Sequence, residues 1–178
     1  MRRLLFLCLT VMSLLLAGCS SGGKPLSRQD LSLAFSCRAD VACRDGSFVC
    51  AVRRAGPDDA SVEVLSGSGQ GLKWYWSGDG FTQTYRGLSA RSEACVLPDG
   101  AFPALLVEIL DCAGKPGALA AEGGNTFSGN LRGCEFRLTA NGTTGFPETL
   151  SAQDWNLKVV FHHPEAAKAQ TVVPTDLR

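Results

Sequence analysis

From Leu31 the apolar residues fall on odd positions: Leu31, Leu33, Phe35, Cys37, Ala39, Val41 and Cys43. Ser32, Ala34, Ser36, Arg38, Asp40, Ala42 and Arg44 lie between them. A period of two predicts a long strand with one buried face. Asp45-Gly46 then suits a tight two-residue hairpin turn. Beyond it the inward phase moves to even positions, Phe48, Cys50 and Val52. In that register Cys43 faces Phe48 and Val41 faces Cys50. Val62 and Val64 predict a short strand, and Leu72, Trp74 and Trp76 share one face of another. SGDGF at 77–81 is a second tight turn, with a returning strand over 81–86. Cys134, Phe136 and Leu138 share a face after Gly133; NGTTG at 141–145 is a turn; Trp155, Leu157, Val159 and Phe161 alternate in a last strand.

One segment breaks the period. Pro103 sits at a helix start, and Leu105, Leu106, Ile109 and Leu110 follow at helical spacing, with Glu108 and Asp111 on the other side and Gly114 and Pro116 as stops. The pattern predicts a helix over residues 103–113 between two runs of antiparallel strands. The expected fold class is α+β: a curved antiparallel half-open β-barrel of about nine strands, with one short helix packed on its concave face.

The first residues read differently. Arg2 and Arg3 precede thirteen mostly apolar residues, 4–16, and then the small pair Ala17-Gly18. This is the charged, apolar and small-residue order of a secretory signal. Thirteen helical residues reach roughly 20 Å, short of a bilayer core about 30 Å thick. A plainly cleaved signal with an incidental Cys19, or a short anchor helix, would use the same run. Leu16-Ala17-Gly18-Cys19, however, resembles the bacterial lipobox. That resemblance implies a Cys19 thiol that accepts a diacylglycerol and becomes the new N-terminus. Residues 1–18 are then the lipoprotein signal peptide. Residues 19–30 are the lipidated Cys and a flexible tether that opens with SSGGK. Residues 31–163 form the half-barrel domain and 164–178 a C-terminal tail, read as frayed rather than as a strap.

Charge narrows the partners. The chain holds 17 basic and 17 acidic residues. Loss of Arg2 and Arg3 leaves 15 against 17, a formal charge of −2, with no basic tract for phosphates. Nucleic acid is therefore excluded as a partner. The membrane is reached through N-terminal acyl chains, which hold stably when there are two or more.

With a lipobox, a tether, antiparallel hairpins, the PALLVEIL helix and a closing segment that contains Gly145, Phe146, Pro147 and Leu150, the chain resembles the lipoprotein-carrier superfamily. That group includes the periplasmic carrier and the outer-membrane receptor of the lipoprotein localisation system, and mycobacterial lipid-carrying lipoproteins. The resemblance covers residues 31–162. It implies a half-open barrel whose apolar inside holds acyl chains. The family often has a longer N-terminal helix, for which only residues 26–30 are available here, and no dedicated handover hook is matched.

The remaining side chains add little chemistry. Cys37, Cys43, Cys50, Cys95, Cys112 and Cys134 are an even set in an exported chain, which suggests disulfides. Four of them fall on apolar strand faces, where a free thiol behaves as a small hydrophobe. Mostly free thiols are expected, with one or two disulfides as the alternative. His162 and His163 are adjacent, so a regular strand turns them to opposite faces; no Cys-x-x-Cys occurs, and no metal or other cofactor is expected. There is no Gly-x-Ser-x-Gly elbow, and Asp40, Glu63, Asp79, Glu93, Glu108, Asp111, Glu135 and Asp154 are scattered and read as solvated. The expected activity is non-enzymatic binding of a lipid or another apolar ligand. Phe35, Phe48, Trp74, Trp76, Leu105, Leu106, Ile109 and Phe136 are the candidate apolar pocket, and each of them also reads as ordinary core. A filled core with no ligand would instead mark an envelope sensor or protein-interaction module.

Overall fold

The computed structural model describes residues 26–168. The signal, Cys19 and most of the tether lie outside them, as does the chain after Lys168. The described residues form one open antiparallel sheet of eleven strands: β1 (Phe35–Cys43), β2 (Gly46–Gly56), β3 (Asp59–Ser66), β4 (Lys73–Ser77), β5 (Gly80–Tyr85), β6 (Leu88–Ser92), β7 (Leu119–Gly123), β8 (Thr126–Leu131), β9 (Cys134–Ala140), β10 (Pro147–Ala152) and β11 (Leu157–Ala166). Their order across the sheet is β6-β5-β4-β3-β2-β1-β11-β10-β9-β8-β7. The chain walks outward from the centre to one edge. It crosses the sheet face as helix α1 (Phe102–Gly114) and walks back from the other edge. β1 and β11, far apart in sequence, meet in the middle.

The period of two places the core. Phe35, Ala39 and Val41 of β1, Cys50 and Val52 of β2, Val62 and Val64 of β3, Phe136 and Leu138 of β9, and Val159 and Phe161 of β11 are all buried. They share one cluster with the helix. The helix itself is nearly submerged: nine of its thirteen residues are buried. The sheet therefore curls round α1, which fills the concave side rather than resting on it by one stripe. Each large side chain buried this way contributes about 1.5–3 kcal/mol.

The sequence pattern needs five corrections. There are eleven strands rather than nine, because β6, β7, β8 and β10 carry few large apolar residues. β8 shows why: its Gly129 lies opposite Phe136, whose ring occupies the space a side chain would need. β1 begins at Phe35; Leu31 and Leu33 precede it and pack on the core from outside the ladder. The first hairpin turns one residue earlier, which moves every pairing by two: Cys43 is opposite Gly46, Val41 opposite Phe48 and Ala39 opposite Cys50. Arg44-Asp45 form its tip, which preserves the buried face because the shift is even. Trp155 closes a 3₁₀ turn, Gln153–Trp155, before β11 starts at Leu157.

The fifth correction concerns the histidines. β11 does not stop at Pro164 but runs on to Ala166. A bulge takes up the proline: Ser36 pairs with Glu165 and Arg38 with His162, so Cys37 opposes both His163 and Pro164. His163 has φ +47. A proline is accepted there because a bulge leaves one residue outside the ladder. The bulge also re-aims His163. His162 Nε2 lies 2.9 Å from Asp40 Oδ2 on the outer face, and His163 joins Ser36 and Arg38 around an outer groove.

Candidate functional site

One end of the half-barrel is closed by the start of the described chain. Arg28–Asp30 form a 3₁₀ turn, and Leu31 and Leu33 pack on the core. Ser32 N donates to the Gly145 carbonyl at 3.0 Å, and Leu26 N to Asn125 Oδ1 at 3.5 Å. The loop that this segment docks against is shaped locally: Asn141 Oδ1 accepts from Thr143 N and Thr144 N, both at 3.0 Å, and Gly145 has φ +71.

The other end is open. The β1–β2 tip, the segment before α1, the β8–β9 turn and the start of β11 surround a mouth of about 420 Å³. Phe102, Leu105, Leu157, Trp155 and Cys43 form its apolar wall, and Arg44, Asp45, Asp99 and Arg132 stand around it. Its volume falls in the range of small-molecule sites.

Helix α1 separates this mouth from the interior and is held from three directions. Arg54 donates through Nε and Nη2 to Asp111 Oδ1 at 2.9 and 2.7 Å, and through Nη1 to the Leu33 carbonyl at 2.8 Å. Arg132 Nη2 donates to Glu108 Oε1 at 2.7 Å. Arg28 Nη2 donates to the Gly114 carbonyl at 2.6 Å, at the end of the helix where a cation complements the dipole. At the N-terminal end the contacts are aromatic instead. Phe102 stacks on Phe48 at 4.9 Å, and Trp74 meets Phe102 edge-on at 5.9 Å. No side chain caps this end. Trp74 Nε1 is buried beside it with no hydrogen-bond partner among the described residues.

The candidate pocket residues divide accordingly. Phe35, Leu106, Ile109 and Phe136 are fully buried in the packed core, and Trp74 and Leu105 nearly so. Phe48 and Trp76 are half-buried against it. Of the eight, only Leu105 lines the mouth. Sequence reading passed over Arg54, Arg132, Trp155 and Leu157 as parts of a site. For Arg54 a signal existed: it continues the even, inward phase of Phe48, Cys50 and Val52, and a charge on a dry phase demands a partner. Asp111, read as solvated, is that partner.

All six described cysteines are free. Burial pushes the Cys37 and Cys50 thiols up to about 12. Cys134 is also raised, by burial first and then by Asp154. In the observed register Cys43 and Cys50 stand four residues apart along the hairpin, roughly 13 Å, beyond the reach of a disulfide. Among the described residues no group of three or more His, Cys, Asp and Glu could hold a metal ion, and no helix is long and apolar enough to cross a membrane.

No family model matches the chain, and no curated protein matches it. Among solved structures, the chain is similar to a LolA superfamily protein from Nitrosomonas europaea. The alignment covers 80% of this chain and 94% of that one, at 8% identity and a TM-score of 0.37. A score of that size marks a likeness in coarse architecture, and neither family nor activity follows from it.

Proposed function

We propose that this protein is a membrane-anchored, extracytoplasmic lipoprotein, attached through acyl chains on Cys19, that binds a lipid or another apolar ligand without catalysis. The observation that carries the binding reading is the open mouth where the helix N-terminus meets the half-barrel. It offers about 420 Å³ lined by Phe102, Leu105, Trp155 and Leu157. Burial of an acyl chain there removes its surface from water at about 0.8 kcal/mol per CH₂. The lipobox supports the anchor, and the resemblance to lipoprotein carriers supports the ligand class.

Native mass spectrometry of residues 20–178, produced without the lipidated cysteine, tests the binding. Co-purified acyl lipid, lost in Leu105→Asp, is the expected result. A clean apo mass, with no thermal shift from fatty acids or phospholipids, would defeat the reading.

One observation favours a second reading. The concave side is filled, with Phe35, Leu106, Ile109 and Phe136 each at 0% exposure. A packed interior suits an interaction module that needs no ligand, and the clean apo mass would point to it.

A further inference from the structure

A broad depression lies on the convex side of the sheet, away from α1. It measures about 800 Å³. Its floor exists because small residues face outward on three adjacent strands: Ser36 on β1, Ala51 on β2 and Ser61 on β3. Long polar side chains rise around them in two cross-strand rows. Arg38, Ala51, Glu63 and Lys73 pair in one, and Ser36, Arg53 and Ser61 in the other.

Much of this charge is already used. Arg53 Nη1 pairs with Asp59 at 2.7 Å and Lys73 with Glu63 at 3.5 Å. Arg38 lines the groove and has no side-chain partner among the described residues. The Ser61 hydroxyl is the second unspent group. Ser61 keeps only 8% of its surface, lines the groove floor and makes no side-chain hydrogen bond among the described residues. Its hydroxyl still reaches water at the groove floor, where a ligand can replace that water. The β11 bulge is the third. It brings His163, at φ +47, to the groove wall. Bulges and left-handed residues recur where a strand re-aims a side chain toward a ligand.

We propose that this groove is a binding site for a small polar molecule bearing an oxyanion, a carboxylate or a phosphate ester. The oxyanion is held by the Arg38 guanidinium and the Ser61 hydroxyl. Arg is suited to this role because its fork of N–H donors matches the paired oxygens of either group. Glu165, on the β11 side of the groove, favours a ligand whose other end carries hydroxyl or amine donors. The site is independent of the mouth, because no residue lines both.

Titration of the full chain with glycerol 3-phosphate, succinate and inorganic phosphate, followed by calorimetry and by amide shifts, tests this. At least one of the two organic anions should bind saturably and more tightly than inorganic phosphate, with shifts centred on Arg38, Ala51 and Ser61. Whichever binds identifies the oxyanion. Affinity should fall about tenfold in Arg38→Gln and in Ser61→Ala, and fall with added salt. Leu88→Ser, at an exposed position on β6 that lines neither the groove nor the mouth, should leave it unchanged. Absence of saturable binding by all three anions, or binding that survives Arg38→Gln and Ser61→Ala intact, overturns the proposal.

Discussion

Gly145 shows how much a single missing side chain can decide. Its backbone is left-handed, at φ +71, and a Cβ there would fall on the Asp30 carbonyl. Two penalties therefore coincide, one of conformation and one of contact. Gly145→Ala is expected to lower stability by about 2–4 kcal/mol in urea denaturation. Gly117→Ala, at φ +74 with open space around it, should cost only about 1 kcal/mol. The thiols give a second prediction at this scale. The folded state holds the Cys37 and Cys50 protons up to about pH 12, whereas a thiol with the ordinary value of 9.0 loses its proton earlier. Above about pH 9 the unfolded chain binds fewer protons than the native one, so stability falls as pH rises. Denaturation at pH 8 and about pH 10.5 should show that loss, and Cys50→Ala should show less of it. With thiol reagents at pH 8 the exposed Cys95 should react first, and the buried Cys50 only on unfolding.

At the scale of elements, the helix and the sheet are joined by one ion pair of unequal burial. Arg54 is 4% exposed and Asp111 23%. Asp111→Asn leaves a buried guanidinium without its counter-charge, and should cost about 3–5 kcal/mol. Arg54→Met leaves a carboxylate that water can still reach, and should cost less. The pair Arg54→Met with Asp111→Leu should restore most of the loss, because packing replaces a charge pair that was costly to bury. Equilibrium denaturation of the three variants checks the order. Sequence periodicity located the strands that hold large apolar residues and the helix from Pro103. It missed β6, β7, β8 and β10, whose sequences such as LSARS and LAAEG carry no stripe to read. Their places come from neighbours: Phe136 covers Gly129, and the ladder with β5 orders β6.

For the whole molecule, the two ends of the half-barrel differ. The described chain starts at the closed end, near Asn125 and Gly145, while the mouth lies nine residues of β1 away, roughly 30 Å. If Cys19 carries the acyl chains, its short tether attaches at the closed end, and the mouth lies at the opposite end of the barrel. Cys19→Ser should move the expressed protein from the detergent phase to the aqueous phase without changing the melting temperature of the domain. Partition in a detergent cloud-point extraction, alongside circular dichroism, measures both.

The sequence alone determined the alternating faces and the helix that begins near Pro103. These depend on near neighbours in the chain: a period of two and a period near 3.6. Only the tertiary structure decided that β1 pairs with β11, that Arg54 reaches Asp111, that a bulge in β11 takes His163 to an outer groove, and that Ser61 lies on the floor of that groove. Each joins residues from distant parts of the chain, or depends on a bulge that breaks the local period. Pattern cannot encode such meetings, because they are set by how the whole sheet curls around α1.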